Sequence, residues 1–292
     1  MKRQNEKLMK DLHRMLELQE FKSEDELKNF INNLMGKEIP SFPPEALRFD
    51  EQAQDLVLEA YDLPLDKARI NIQEALRLDS NCIEAFEYLG NNEPILEIAI
   101  VFFEKGISIG RQLYGGKYLK EHKGMFWGLH ETRPFMRCLL HYSNLLYVFG
   151  RVIESINIME EMIELNPNDN QGIRDQLMLY LIEIGEYKKF EKYSKMFNDD
   201  SLAFAHFNRA LFAFKKDGEN EKSNHLLLEA LKANKFVAAK IISKKPIQKL
   251  SSYYGIGDKN EADYYTYFAQ HIWQKTNGAI AWITKHSAKT KK

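Results

Sequence analysis

Two arginines, Arg133 and Arg137, stand one helical turn apart, close to Glu131, His130 and the aromatic pair Phe126-Trp127. Two guanidiniums beside an aromatic ring suit the grip of a partner's carboxylate or phosphate. The competing reading is that Arg137 pairs with an acidic neighbour and locks a nearby glycine-rich segment in place. If a helix opens near Pro134, Thr132 is placed to cap it and Glu131 sits at its positive end. Further on, Gln171 and Arg174 open another helix. Asn208 and Arg209 follow Phe207 on a third and are expected to share the face of Arg174. The candidate partner contacts are therefore Trp127, Arg133, Arg137, Gln171, Arg174, Asn208 and Arg209, with Trp127 as an aromatic anchor.

Other chemistry finds little support. Cys138 and His141 have the spacing of two metal ligands on a helix, with His122 and His130 nearby in sequence. A structural zinc site usually needs two ligand pairs, and a thiol in an apolar helix is commonly a packing residue, so no metal is expected. The chain lacks a Walker-type phosphate loop, a His-Glu-x-x-His helix, a Gly-x-Ser-x-Gly elbow and the kinase motifs. No catalytic residue and no cofactor are expected. Glu160, Glu161 and Glu164 read as a solvated helix face.

Composition narrows the class. The 292 residues carry a net charge of −1, with 44% hydrophobic and 28% charged residues, as in ordinary globular proteins. Without a basic excess, nucleic-acid binding is not expected, although Lys285 to Lys292 form a basic tail. Two cysteines make no disulfide framework. The charged start of the chain lacks the apolar run of a signal peptide, and no stretch is long enough to span a membrane. A cytoplasmic address is the expectation.

The elements that must position these residues are helical and repeated. Gly150, Ser155, Met159, Met162 and Pro167 recur 68 residues later as Gly218, Ser223, Leu227, Ala230 and Lys235. That interval is two periods of the 34-residue tetratricopeptide repeat, a helix–turn–helix unit. Ala68, Ile72, Ala75 and Ser80 carry the same small–large–small pattern upstream. Helix pairs are expected at 45–61 with 66–79, 81–91 with 93–109, within Pro134–Pro167 on either side of a turn at Gly150, at 170–185 with 186–198, and at 201–216 with 219–233. Residues 110–130, with Gly110, Gly115, Gly116, Gly124 and Gly128, read as an irregular insert. Ahead of the repeats, residues 1–44 read as a helical extension followed by a Pro-rich linker, with Ser23 and Glu26 opening the second helix. Residues 260–284 read as one capping helix, and 285–292 as a disordered tail. The tyrosines at 253, 254, 264, 265 and 267 read mainly as packing, with a peptide groove as the alternative.

Several segments resemble bacterial tetratricopeptide-like proteins related to the suppressor of tumorigenicity 7 family. They are Phe126-Trp127-Gly128-Leu129-His130-Glu131-Thr132-Arg133-Pro134 with Met136-Arg137, and Leu165-Asn166-Pro167-Asn168-Asp169-Asn170-Gln171-Gly172-Ile173-Arg174. Asp199-Asp200-Ser201, Asn234-Lys235-Phe236-Val237 (where the family tends to have Asn-Pro-His-Val) and Gly278-Ala279 continue the likeness, which spans roughly residues 50–284. The resemblance implies a helical-repeat interaction protein without a defined activity. The membrane association of eukaryotic relatives does not transfer to a chain without an apolar span.

The expectation is thus an all-α, tetratricopeptide-like solenoid, a right-handed superhelix of helix hairpins with an N-terminal helical extension and a C-terminal capping helix. Its expected task is that of a non-catalytic scaffold or adaptor holding a partner peptide or helix in the concave groove. The alternatives are a regulatory receptor for a small peptide or acidic ligand, or an enzyme without recognised motifs. Self-association through residues 1–20 is a further outcome.

Overall fold

The structure, a computed structural model, describes residues 3–243 and 245–288. Among them there are sixteen α-helices, one 3-10 turn and no strand. The chain divides into two compact units. One comprises residues up to Arg151 with Glu164–Pro167, and the other Val152–Ile163 with the chain from Asn168 onward. The 45–284 body expected from the repeat register spans both.

The first unit opens with α1 (Arg3–Glu17) and α2 (Glu24–Leu34). Ser23 caps α2 by accepting from the Glu26 amide at 3.2 Å, while the Glu26 carboxylate accepts from the Lys22 amide. A Pro-rich stretch leads through the 3-10 turn Pro44–Ala46 to α3 (Phe49–Ala60) and α4 (Leu65–Leu78). These two pack through small side chains: Ala53, Val57 and Ala60 meet Ala68, Ile72 and Ala75, and Cys82, Ala85 and Tyr88 extend the cluster. Next come α5 (Ile83–Asn92), α6 (Leu96–Leu113), α7 (Gly116–His122) and α8 (Arg133–Val148).

The expected irregular insert at 110–130 is corrected in its first half. Helix α6 continues through Leu113, and α7 takes up Gly116 to His122. Gly110 is a close-packing residue: a Cβ there would lie 2.2 Å from Cδ2 of Phe135. Gly106 admits the Cys138 sulfur in the same way. Only the stretch after Lys123 is irregular, and it is anchored. The Phe126 amide donates to the Leu165 carbonyl at 3.1 Å, and the buried Phe126 ring meets Tyr114, Tyr118 and Phe135. Thr132 does not cap α8. Its hydroxyl donates to the carbonyls of Phe126 and Leu129, tying the loop to itself.

The second unit contains most of α9 (Val152–Leu165), then α10 (Ile173–Ile184), α11 (Tyr187–Met196), α12 (Ala203–Asp217) and α13 (Glu221–Ala233). It ends with α14 (Val237–Ser243), α15 (Lys259–Lys275) and α16 (Ala279–Ser287). The single helix expected at 260–284 is two helices, because Thr276 to Gly278 break it and Gly278 takes a φ of +79°. Trp282 on α16 stacks on Phe214 at 4.3 Å, which fixes the second segment against α12. Helix α16 runs through Ser287, beyond the expected end at 284, and residues 289–292 of the expected tail lie outside the described residues. Helix α14 is not among the helices expected from the sequence.

The positions that recur in sequence occupy matching places. Gly150 and Gly218 both take positive φ, near +75° and +73°, and both precede a helix. Ser155, Met159 and Met162 on α9 are buried, as are Ser223, Leu227 and Ala230 on α13. Ala68, Ile72 and Ala75 on α4 are buried as well.

Candidate partner-binding face

In the first unit, α3, α5 and α8 share a face lined by carboxylates, and α1 lies across it. Lys7 Nζ reaches Glu59 of α3 at 2.8 Å. Lys10 Nζ donates to Gln54 of α3 at 2.6 Å and to Glu84 of α5 at 3.2 Å. Arg14 donates Nε to Glu51 at 3.0 Å and grips both oxygens of Asp55, at 3.1 and 3.2 Å. In the opposite sense, Glu6 of α1 accepts from Arg137 of α8 at 3.0 Å, and Arg137 Nε also donates to Glu87 of α5 at 2.7 Å.

The periodicity of the helices explains this face. On α3 the apolar positions Ala53, Val57 and Ala60 turn toward α4, leaving Glu51, Asp55 and Glu59 to the neighbouring stripe. On α5, Ala85 and Tyr88 join the core while Glu84 and Glu87 emerge on the α1 side. Both glutamates are buried beneath α1 and Arg137. Burial works to lower the Lys7 ammonium and the Arg14 guanidinium. For Lys7 the hydrogen bond and charge of Glu59 outweigh it, and for Arg14 those of Asp55, with Asp11 and Glu51, so both bases are held above their usual values.

The expected contacts fall in both units. Arg137 belongs to the ion cluster just described, pairing with acids as the competing reading of its role had it, though with those of α1 and α5. Arg133 donates Nε to the Trp127 carbonyl at 3.0 Å, and its guanidinium lies 5.7 Å from the indole centre. Both side chains are half-buried. Burial lowers the Arg133 guanidinium, with the charge of Arg137 adding to that and Glu6 opposing it. Arg133 and Arg137 thus diverge, one to the loop and one to α1 and α5.

In the second unit, Arg174 bridges Asp200 at 2.6 Å and Asp169 at 2.9 Å, with its guanidinium 5.4 Å from the Phe197 ring. Asp169, at a φ of +48°, also accepts from the Ile173 and Arg174 amides and so caps α10. Gln171 is half-buried in the turn that leads into α10. Asn208 is buried and donates to the Asp175 carbonyl at 3.3 Å. Arg209 donates to the carbonyls of Phe197 and Asn198, at 3.0 and 3.1 Å, closing the end of α11. Arg174 and Arg209 therefore hold the unit's own turns, and Asn208 ties α12 to the first turn of α10.

Comparison with protein-family models, curated proteins and solved structures finds no match to this chain.

Among the described residues no three His, Cys, Asp or Glu side chains are grouped to hold a metal. Cys138 is buried against Gly106, its thiol pushed well above the usual value by burial, and His141 stacks on Phe103 at 5.2 Å. No described helix is long and apolar enough to cross a membrane.

The acidic face and its α1 counterpart were missed in the sequence. Lys7, Lys10 and Arg14 are visible there at helical spacing, as are Glu84 and Glu87. Nothing local, however, says that these two sets meet.

Proposed function

We propose that this chain is a tetratricopeptide-like helical-repeat protein, a solenoid of helix hairpins, that holds a helical segment of a protein partner without catalysing a reaction. One observation carries the reading: α1 is gripped by side chains from α3, α5 and α8 together. In the repeat register these are the first helices of successive sequence units, the helices that line the concave side of such a solenoid. A face that holds one helix through arrayed ion pairs has the chemistry to hold another. The buried register positions of α4, α9 and α13 fit the same repeat.

The test is site-specific photocrosslinking in native cells. A crosslinker replacing Gln54, on the α1 side of α3, should trap a foreign protein that a crosslinker replacing the exposed Ile70 of α4 does not. Equal yields from both positions, or products made only of this chain, would overturn the reading.

A further inference from the structure

Helix α1 is packed the wrong way round for a structural helix. An amphipathic helix on a globular protein normally turns its apolar stripe inward. Here Asp11 and Arg14 are 4% and 7% exposed, whereas Leu8 and Met9 are 45% and 40% exposed. The helix is anchored by charges at its most buried positions, while Leu8 and Met9 face away and Leu12, Met15 and Leu16 are only half-buried. Buried ion pairs give up much of their attraction to desolvation, so they specify a position more than they secure it. The tether is loose too: α1 is followed by α2, which contains no buried residue, and by the Pro-rich stretch up to Arg48.

The face beneath α1 has a definite chemistry. Against Glu51, Asp55, Glu59, Glu84 and Glu87 stand Arg137, paired with Glu87, and Arg48, 3.7 Å from Glu51, an excess of three negative charges that α1 answers with Lys7, Lys10 and Arg14. The fit is incomplete at one point. Nη2 of the buried Arg137 has no acceptor among the described residues, although its Nη1 and Nε are paired with Glu6 and Glu87.

We propose that α1 is a built-in, displaceable occupant of the face, and that the helix which replaces it in trans is basic. That partner presents bases at the spacing of Lys7, Lys10 and Arg14, with an acceptor group at the Arg137 end that can take up Nη2 as well as Nη1. Occupancy by α1 then keeps the protein closed to weaker cations and sets a threshold. The tether gives α1 a high effective concentration, so only a helix with a better set of pairs displaces it. This inference rests on the partner-holding reading above.

The probe is a fluorescent peptide of residues 3–18 added in trans to two full-length proteins. One is the natural sequence. The other carries Lys7→Glu, Lys10→Glu and Arg14→Glu, which repel α1 from the acidic face. The variant should bind the peptide at least tenfold more tightly than the natural chain, and the affinity should fall steeply as salt rises. A peptide with the three bases replaced by Glu should not bind. If the variant binds no peptide while retaining its melting transition, the proposal is overturned.

Should the variant fail to fold, amide hydrogen exchange on the natural protein decides. Exchange in α1 that is at least tenfold faster than in α3 and α5 supports displacement, and exchange at the same rate overturns it. Light scattering separates a second copy from a foreign partner: a natural-sequence dimer that the variant loses would assign the face to exchanged α1 helices and overturn the foreign occupant. The two readings fail separately. A fixed α1 with a foreign protein crosslinked at position 54 removes displacement only, whereas a mobile α1 without any such crosslink removes the partner-holding function.

Discussion

Arg137 shows how much one side chain can organise. It joins α8 to α5 through Glu87 and to α1 through Glu6, and Glu87 keeps only 1% of its surface. Removing the guanidinium takes a cationic partner from a buried carboxylate, a change that costs roughly 3–5 kcal/mol. Arg137→Ala should therefore lower the unfolding free energy measured in urea by that amount, and adding Glu87→Gln should recover part of the loss. A mere surface pair would change it by less than about 1 kcal/mol. Asp175 makes a second prediction. Its enclosed carboxyl is pushed up to about 8, first by burial and then by Asp200, Asp169 and Glu261, against the lowering charge of Arg174. The folded chain thus holds a proton that the unfolded chain releases near the ordinary Asp value. With more protons bound in the folded state, stability falls as pH rises from about 4 to about 8 and levels off above. Asp175→Asn should flatten that fall, which melting temperatures measured across pH 5–9 will show.

At the scale of elements, helices meet where side chains are missing. Gly110 on α6 gives Phe135 of α8 its place, and a methyl group there would sit 2.2 Å from the ring. Gly110→Ala gains about 1 kcal/mol of helix propensity but overpacks a site whose relief costs about 1–3 kcal/mol. A net loss of stability is expected, and Gly110→Ala with Phe135→Leu should recover it. The opposite sign, a stabilised Gly110→Ala, would show that the α6–α8 contact yields easily. The loop before α8 depends on Thr132, whose buried hydroxyl answers two carbonyls. Thr132→Val keeps the shape and removes the donor, with an expected loss of about 1–3 kcal/mol in denaturant unfolding. Had Thr132 been a simple helix cap, Thr132→Asn would be tolerated. In the loop-tying role it should be as damaging as Val.

At the scale of the molecule, order is uneven along the chain. The longer described segments without helix and with exposed lysines lie around Lys22, around Lys37, and between Lys245 and Asp258, while the exposed Lys123 and Lys235 sit in short turns beside helices. Limited trypsin digestion should cut first at Lys22, Lys37 and Lys249, and leave α3 to α6 and α12 to α13 whole. Early cleavage inside α3 or α12 would contradict the described packing. Because α1 is held by ion pairs, cleavage at Lys22 should quicken as salt rises, while cleavage at Lys249 should not share that trend.

Much of this was legible in the chain itself. Apolar spacing of 3–4 residues places the helices, because a helix must bury one stripe. The recurrence of Ser155, Met159 and Met162 as Ser223, Leu227 and Ala230 marks positions that prove buried, each on the inward stripe of its own helix. The glycines were misleading, since sequence alone does not separate a glycine that turns the chain, such as Gly150, from one that admits a ring, such as Gly110. The charged residues were the least readable. Arg137 and Glu6 are 131 positions apart and Arg174 and Asp200 are 26, so their pairing comes from how the helices pack and leaves no local signal. Helix content and core positions come from local periodicity. Which charges become buried, and that α1 turns its polar side inward, were decided only when distant helices came together.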